Sequence, residues 1–281
     1  MVSFFLHLFL TPLVISVSQA GGSLATNRPL PPVVLGYALL RRKMDASRVV
    51  EGQEGAAFLL LAAAAMFLPA GPCPPLFSFA GDGAAFVAFV LFSRWLKGLA
   101  PSNERRWRRR AMPMLWTETA FWFLGLAVFT RLFAGASLAG SLTSKPENLD
   151  VLSWCLLWAA MAIAALVWLS ASKAARQDLF PWWACGWFAP NRRSGWVSLL
   201  ADGLFLWMVF AFLANLGWRA WGGGGLWATL SWVAFVIFLI ALSAGVMERL
   251  GRPRHPFVLS WLLGASGLLA TAFFLLSSPT L

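Results

Sequence analysis

Charge is the scarcest commodity in this 281-residue chain: only 12% of residues are Asp, Glu, Lys or Arg, against 59% that are hydrophobic. Soluble domains carry roughly 25% charged residues, so half that value excludes a water-soluble globule. Tyrosine is nearly missing, one residue beside 24 Phe and 17 Trp. Three cysteines, Cys73, Cys155 and Cys185, stand far apart without a CxxC pair, which excludes a disulfide framework and a thiolate metal centre. Two histidines, His7 and His255, are too few and too distant in sequence for a haem or metal pair. No phosphate-binding loop, GxSxG elbow or HExxH helix is present. Nothing in these absences leaves room for an independent catalytic site, and no metal ligand set is expected.

What the chain has is long apolar runs. A membrane-crossing helix needs about 20 mostly apolar residues, and in lipid such a run must be helical to satisfy its own backbone. Eight segments meet that need: 2–20, 55–72, 82–100, 113–136, 151–171, 195–217, 225–247 and 256–277. The second is the weakest, with a mildly apolar Ala62 to Ala65 and with Pro69 and Pro72 near its end. The first also resembles a signal peptide, since Ser18-Gln19-Ala20 imitates a cleavage site. No Lys or Arg precedes Arg28, however, which favours a retained helix. The expected fold class is an all-α integral membrane protein of about eight transmembrane helices, forming one polytopic domain over residues 1–281.

The net charge of +11 fits this layout. Assigning connections alternately to the two sides puts nineteen of the 22 basic residues on one side, leaving Arg131, Lys145 and Arg219 on the other. Basic connections stay in the cytoplasm, so both termini are expected outside, and the positive charge belongs to membrane topology rather than to nucleic acid. In the first cytoplasmic connection the apolar stretch from Pro31 ends in Arg41-Arg42-Lys43. Too short to span, it reads as a helix near 31–43 lying in the membrane interface, or as a solvated loop. Trp182, Trp183, Trp187 and Trp196 read as interfacial anchors.

Ionisable residues inside spans are functional candidates. Glu118 lies in the fourth segment, Asp202 near the cytoplasmic end of the sixth, and Asp82 opens the third, where Gly81-Asp82-Gly83 also reads as a helix cap. Two readings stand for Glu118: a proton relay, or the partner of an arginine from the run Arg105 to Arg110. Arg131, toward the outer end of the fourth segment, can snorkel. No paired inverted repeat with broken helices, the usual pointer to a transporter site, is evident.

In sequence order, Asn27-Arg28-Pro29-Leu30-Pro31-Pro32, Gly81-Asp82, Arg109 nine residues before Glu118, the stretch Asp202 to Leu216, and Glu248-Arg249-Leu250-Gly251-Arg252-Pro253-Arg254-His255-Pro256 resemble landmarks of one family. That family is subunit 1 of respiratory complex I, and more closely its relatives in membrane-bound [NiFe]-hydrogenases of the energy-converting and formate hydrogenlyase type. The resemblance covers almost the whole chain. It implies a subunit that performs no catalysis alone and joins a cytoplasmic electron-transfer arm to antiporter-like proton- or ion-translocating subunits in a bacterial plasma membrane. Iron–sulfur and [NiFe] or related centres would reside in those partners. Quinone or lipid would be the molecule met by this chain, and Glu118, Arg109, Arg28, Asp82, Asp202 and Glu248 the candidates for its proton path or quinone cavity. The chain also departs from the family: Phe205 stands where a lysine is expected, Ala244 where a glutamate is expected (with Glu248 nearby), and Ser172 to Arg193 offers only Asp178 as an acidic residue. Two other functions fit the residues, a stand-alone permease for a small apolar or anionic solute and a lipid-interacting protein that uses Arg105 to Arg110 on anionic headgroups.

Overall fold

The computed structural model describes residues 1–46, 52–99, 105–133, 137–138, 150–173, 196–218, 225–250 and 255–277. Ten helices and no strand occur among them: α1 Val2–Leu10, α2 Leu13–Ala25, α3 Leu35–Ala46, α4 Gly52–Ala65, α5 Asp82–Leu99, α6 Arg105–Leu132, α7 Val151–Lys173, α8 Trp196–Trp218, α9 Leu226–Leu250 and α10 His255–Ser277. Long runs of Leu, Ala, Phe and Trp are apolar on every side in α7 to α10, as a helix facing lipid or neighbouring helices must be. The molecule is an all-α membrane protein.

Five helices are long and apolar enough to cross a bilayer: Met112–Leu132 within α6, Val151–Leu169, Trp196–Gly217, Leu226–Leu250 and Val258–Ser277. The expected first crossing, 2–20, is a bent pair, α1 and α2, which meet at 50° and make a sixth crossing only if taken as one span. Pro12 explains the break, because it cannot donate to the helical ladder; beside it, Thr11 Oγ1 donates to the His7 carbonyl at 2.8 Å. The expected second crossing, 55–72, is a 14-residue helix that stops at Ala65. The expected third, 82–100, carries Asp82, Arg94 and Lys97 within α5, too many ionisable groups for a span judged on composition. Among the described residues, length and composition support five or six crossings, and the expected count of eight is not confirmed.

The helix expected near 31–43 forms as α3, Leu35–Ala46. It is pinned to the bent pair. The Gly36 amide donates to Ser16 Oγ at 2.9 Å, and the Tyr37 hydroxyl donates to the Phe9 carbonyl at 2.6 Å. Partial burial raises the Tyr37 phenol above its ordinary pKa, so it remains the protonated donor of that bond.

The helix at the centre is α8. Of its membrane-length window 94% is buried, against 28–44% for the other four crossings. It contacts α1, α2, α3, α4, α7 and α9, while α2 packs on α9, α4 on α5, and α10 on both α6 and α7. Small residues permit the closest of these approaches. A Cβ on Gly21 of α2 would lie 2.2 Å from the Ala241 carbonyl oxygen of α9.

Gly21→Ala therefore has to push α2 and α9 apart, and overpacking of this kind costs about 1–3 kcal/mol. Heat denaturation in detergent should show a clear loss of midpoint for Gly21→Ala. The control Gly264→Ala, at a position with open space around it, should leave the midpoint unchanged. Equal midpoints for the two variants would contradict this packing.

Candidate functional site

The inner face of α5 is set by helical periodicity. Phe86, Val87 and Val90 are buried along it, and the same face continues to Arg94 and Lys97, which are 4% and 9% exposed. Arg94 meets Glu118 of α6: its Nε donates to Oε1 at 2.8 Å and its Nη2 to Oε2 at 3.4 Å, so both carboxylate oxygens are engaged. Glu118 is 1% exposed. The guanidinium also lies over the Phe205 ring of α8, 4.4 Å from its centroid. One turn along, Lys97 Nζ pairs with Asp202 Oδ1 of α8. Asp202 Oδ2 is buried with no hydrogen-bond partner. Ser93 Oγ donates to the Ala57 carbonyl at 2.8 Å, and Trp95 Nε1 to Thr119 Oγ1 at 2.9 Å. A single turn of α5 thus ties α4, α6 and α8 together through polar contacts.

The physics of this layer is demanding. Removing charges from water costs several kcal/mol per ion, and their mutual attraction offsets that only with good geometry and further hydrogen bonds. The Arg94–Glu118 pair has both. In a charge-poor chain such a cluster is a candidate for function.

A second polar cluster lies between the two interrupted crossings. After Ala65 the chain runs on without a helix, yet Leu68 and Ala70 are fully buried. Buried irregular backbone needs internal partners, and three side chains supply them, one of them held in turn by a fourth. Ser3 Oγ donates to the Leu68 carbonyl at 2.8 Å. His7 Nε2 lies 3.1 Å from the same oxygen, and Trp207 Nε1 donates to His7 Nδ1 at 2.9 Å. His7 therefore carries its proton on Nε2 and is a neutral ring with both nitrogens satisfied. Asn215 of α8 donates from Nδ2 to the Pro69 carbonyl at 2.8 Å and accepts the Gly71 amide at 3.2 Å. Gly71 has φ +58° and packs so close to Trp232 that a Cβ would lie 2.6 Å from the ring, so only glycine fits.

Of the six residues singled out from the sequence, the structure brings two together. Glu118 and Asp202 belong to the charge layer, joined through Arg94 and Lys97, which the topology argument had counted with the cytoplasmic connections. Glu118 pairs with Arg94, not with the run Arg105 to Arg110; the side chains of that run, Arg109 included, lie outside the described residues. Asp82 is buried at the far end of α5 and accepts the Leu138 amide, so it does more than cap its own helix. Arg28 and Glu248 are exposed. Most of Ser172 to Arg193, the three clustered Trp182, Trp183 and Trp187, and Lys145 and Arg219 also fall outside the described residues. His7 and Asn215 escaped the sequence reading, although Thr11-Pro12 and Pro69 with Pro72 signal the two breaks they support. The structure thus has one bent crossing, α1 with α2, and one short apolar helix, α4.

Among the described residues no group of three or more His, Cys, Asp or Glu could hold a metal ion. No protein-family model matches the chain, and no curated protein matches it.

Breaking the layer should be costlier than removing it. Arg94→Leu leaves Glu118 buried without its cation, at about 3–5 kcal/mol. The double variant Arg94→Leu/Glu118→Leu leaves no stranded charge and should recover most of that loss in detergent unfolding. Losses that simply add would show that the two side chains are not coupled.

Proposed function

We propose that this chain is the membrane-embedded coupling subunit of a multisubunit assembly of the complex I or membrane-bound hydrogenase type, and that the Arg94–Glu118 and Lys97–Asp202 layer is its coupling element. The observation that carries the reading is the layer itself: two carboxylates and two cations, all buried, in a chain with 11 acidic residues in total. Buried ion pairs of this kind are expensive to keep for stability alone. A pair whose partners can separate, by contrast, changes the affinity of a carboxylate for a proton when its cation moves. Such a device lets an event at one face of the membrane be felt as a charge change inside it.

Further support comes from the resemblance described above. Glu118 occupies the place of that family's membrane glutamate. Phe205 replaces its expected lysine, and the Arg94 guanidinium lies over that ring, so a cation reaches the same position from a neighbouring helix. The chain would sit in a bacterial plasma membrane with both termini outside. Of the nineteen basic residues assigned to the cytoplasmic side, seventeen remain once Arg94 and Lys97 are placed inside, and those would face the electron-transfer arm. Iron–sulfur and [NiFe]-type centres belong to partner subunits in this reading. Antiporter-like subunits and membrane lipids would complete the surroundings, and quinone is the cofactor that this chain itself would meet.

A second reading has its own observation. The bent α1–α2 pair and the truncated α4 meet beside α8, and interrupted helices converging on one element are the hallmark of transporter sites. It predicts solute uptake by the isolated chain in proteoliposomes, which the coupling reading excludes.

Glu118→Gln, tested in native membranes, should lower proton translocation coupled to electron transfer by about tenfold or more, equivalent to about 1.4 kcal/mol, while leaving the assembly intact. Unimpaired coupled turnover in that variant would remove the proton role of Glu118.

A further inference from the structure

The segment that leads into and through α3 begins apolar and ends basic. Leu30, Val33 and Val34 are 60–73% exposed, and Arg41 and Arg42 are exposed as well. Tyr37 stands between the two groups, one turn from Val33 and one from Arg41. Its ring lies 6.0 Å from that of Phe9, which is itself exposed in line with Val2 and Phe5 on α1. The apolar outer stripe of α1 thus runs onto the start of α3, and the two arginines follow about 6 Å further along that helix. Apolar residues for the acyl boundary beside cations for the headgroups are what a membrane-interface helix carries. Among the described residues no carboxylate pairs with Arg41 or Arg42.

This helix rests on the break in the first crossing. A Cβ on Gly36 would run into the Pro12 carbonyl oxygen, so the α3 backbone lies directly against the bend. The Gly36 amide donates to Ser16 Oγ just after the bend, and the Tyr37 hydroxyl donates to the Phe9 carbonyl just before it. From the other side Gly203 of α8 closes on Thr11, where a Cβ would lie 2.9 Å from the Thr11 methyl. Thr11 and Pro12 are thus clasped between α3 and α8, and Gly203 adjoins Asp202 of the charge layer. Retention of basic connections in the cytoplasm accounts for cations anywhere between the first two crossings. It does not account for two of them on a helix bonded to both sides of a bend.

We propose that Arg41 and Arg42 form a binding site for the headgroup of an anionic phospholipid, and that the bound lipid holds α3 as a clamp on the α1–α2 bend. Charge complementarity selects this occupant. Guanidinium groups match phosphate oxygens in charge and in fork geometry, and the exposed apolar residues one to three turns away suit the acyl chains. A zwitterionic lipid brings its own cation and gains less. The site is independent of the coupling role, and it gives the leaflet two of the seventeen basic residues otherwise left to the arm. Its consequence is that membrane composition acts on the first crossing. Pro12 leaves the helical ladder open, the contacts of α3 restrain it there, and a lipid that fixes α3 strengthens the restraint.

The test uses the full-length chain in phosphatidylcholine vesicles, with Cys73, Cys155 and Cys185 replaced by Ser and a bimane fluorophore on Ala38→Cys. Ala38 is exposed, one turn from Val34 and one from Arg42. Nitroxide-labelled phosphatidylglycerol and phosphatidylcholine are titrated in turn, and quenching reports which lipid reaches the probe. At about fivefold per cation, phosphatidylglycerol should be preferred by roughly 20-fold. The preference should fall to about twofold or less in Arg41→Gln/Arg42→Gln and keep its wild-type value in Arg131→Gln, which removes an exposed cation of α6. Heat denaturation reads the clamp. Moving the wild-type chain from phosphatidylcholine to phosphatidylglycerol vesicles should raise its midpoint, and Arg41→Gln/Arg42→Gln should lose that rise while keeping the phosphatidylcholine midpoint. Equal quenching by the two lipids in the wild-type chain would overturn the site and leave both arginines to an acidic protein partner. A preference that survives Arg41→Gln/Arg42→Gln would overturn its location, and an undiminished rise in midpoint would overturn the clamp.

Discussion

The interaction on which this structure turns is the buried pairing of α5 with α6 and α8. Arg94 and Glu118 share two hydrogen bonds, and Lys97 reaches Asp202 one turn away. In a bundle of otherwise apolar helices, packing alone leaves rotation and register loosely specified, because one Leu or Phe fits against lipid about as well as against protein. Two ion pairs at fixed spacing remove that freedom. They set α5 against both partners in one register, and Ser93 and Trp95 secure the same turn to α4 and α6.

Backbone satisfaction is the second constraint, and α8 meets it. Where the first expected crossing breaks at Pro12 and the second ends at Ala65, carbonyls and amides would be stranded in an apolar interior. After Ala65, Ser3 and His7 of α1 and Asn215 of α8 take them up, and Trp207 of α8 holds the His7 ring. This explains why the most apolar position in the fold, at its centre, is held by a helix with a buried Asp, Ser and Asn among its Phe and Leu. Its apolar residues pack the core, and its few polar ones close the accounts of broken neighbours.

Much of this was legible from residue order. The all-helical membrane class, the starts of α5, α7, α8, α9 and α10, and the candidacy of Glu118 and Asp202 follow from long apolar runs and from the rarity of charge within them. The count of crossings was not, because apolar length says nothing about continuity: Thr11-Pro12 looks like the middle of a span until the chain is seen to turn there. Arg94 and Lys97 misled for a related reason. Near the end of an apolar run, a cation reads as a loop residue whose side chain reaches the interface, and only the register of Phe86, Val87 and Val90 puts it on the inner face. Pairing across helices, such as Glu118 with Arg94, depends on tertiary neighbours and has no local signature.

The most direct test of the account is purification of the tagged chain from its native host in mild detergent, with subunit identification and iron analysis of what accompanies it. The account predicts antiporter-like membrane subunits and iron–sulfur proteins in fixed ratio to this chain. A single species without iron, stable and monodisperse on its own, would contradict it and favour a self-contained permease built on the same interrupted helices.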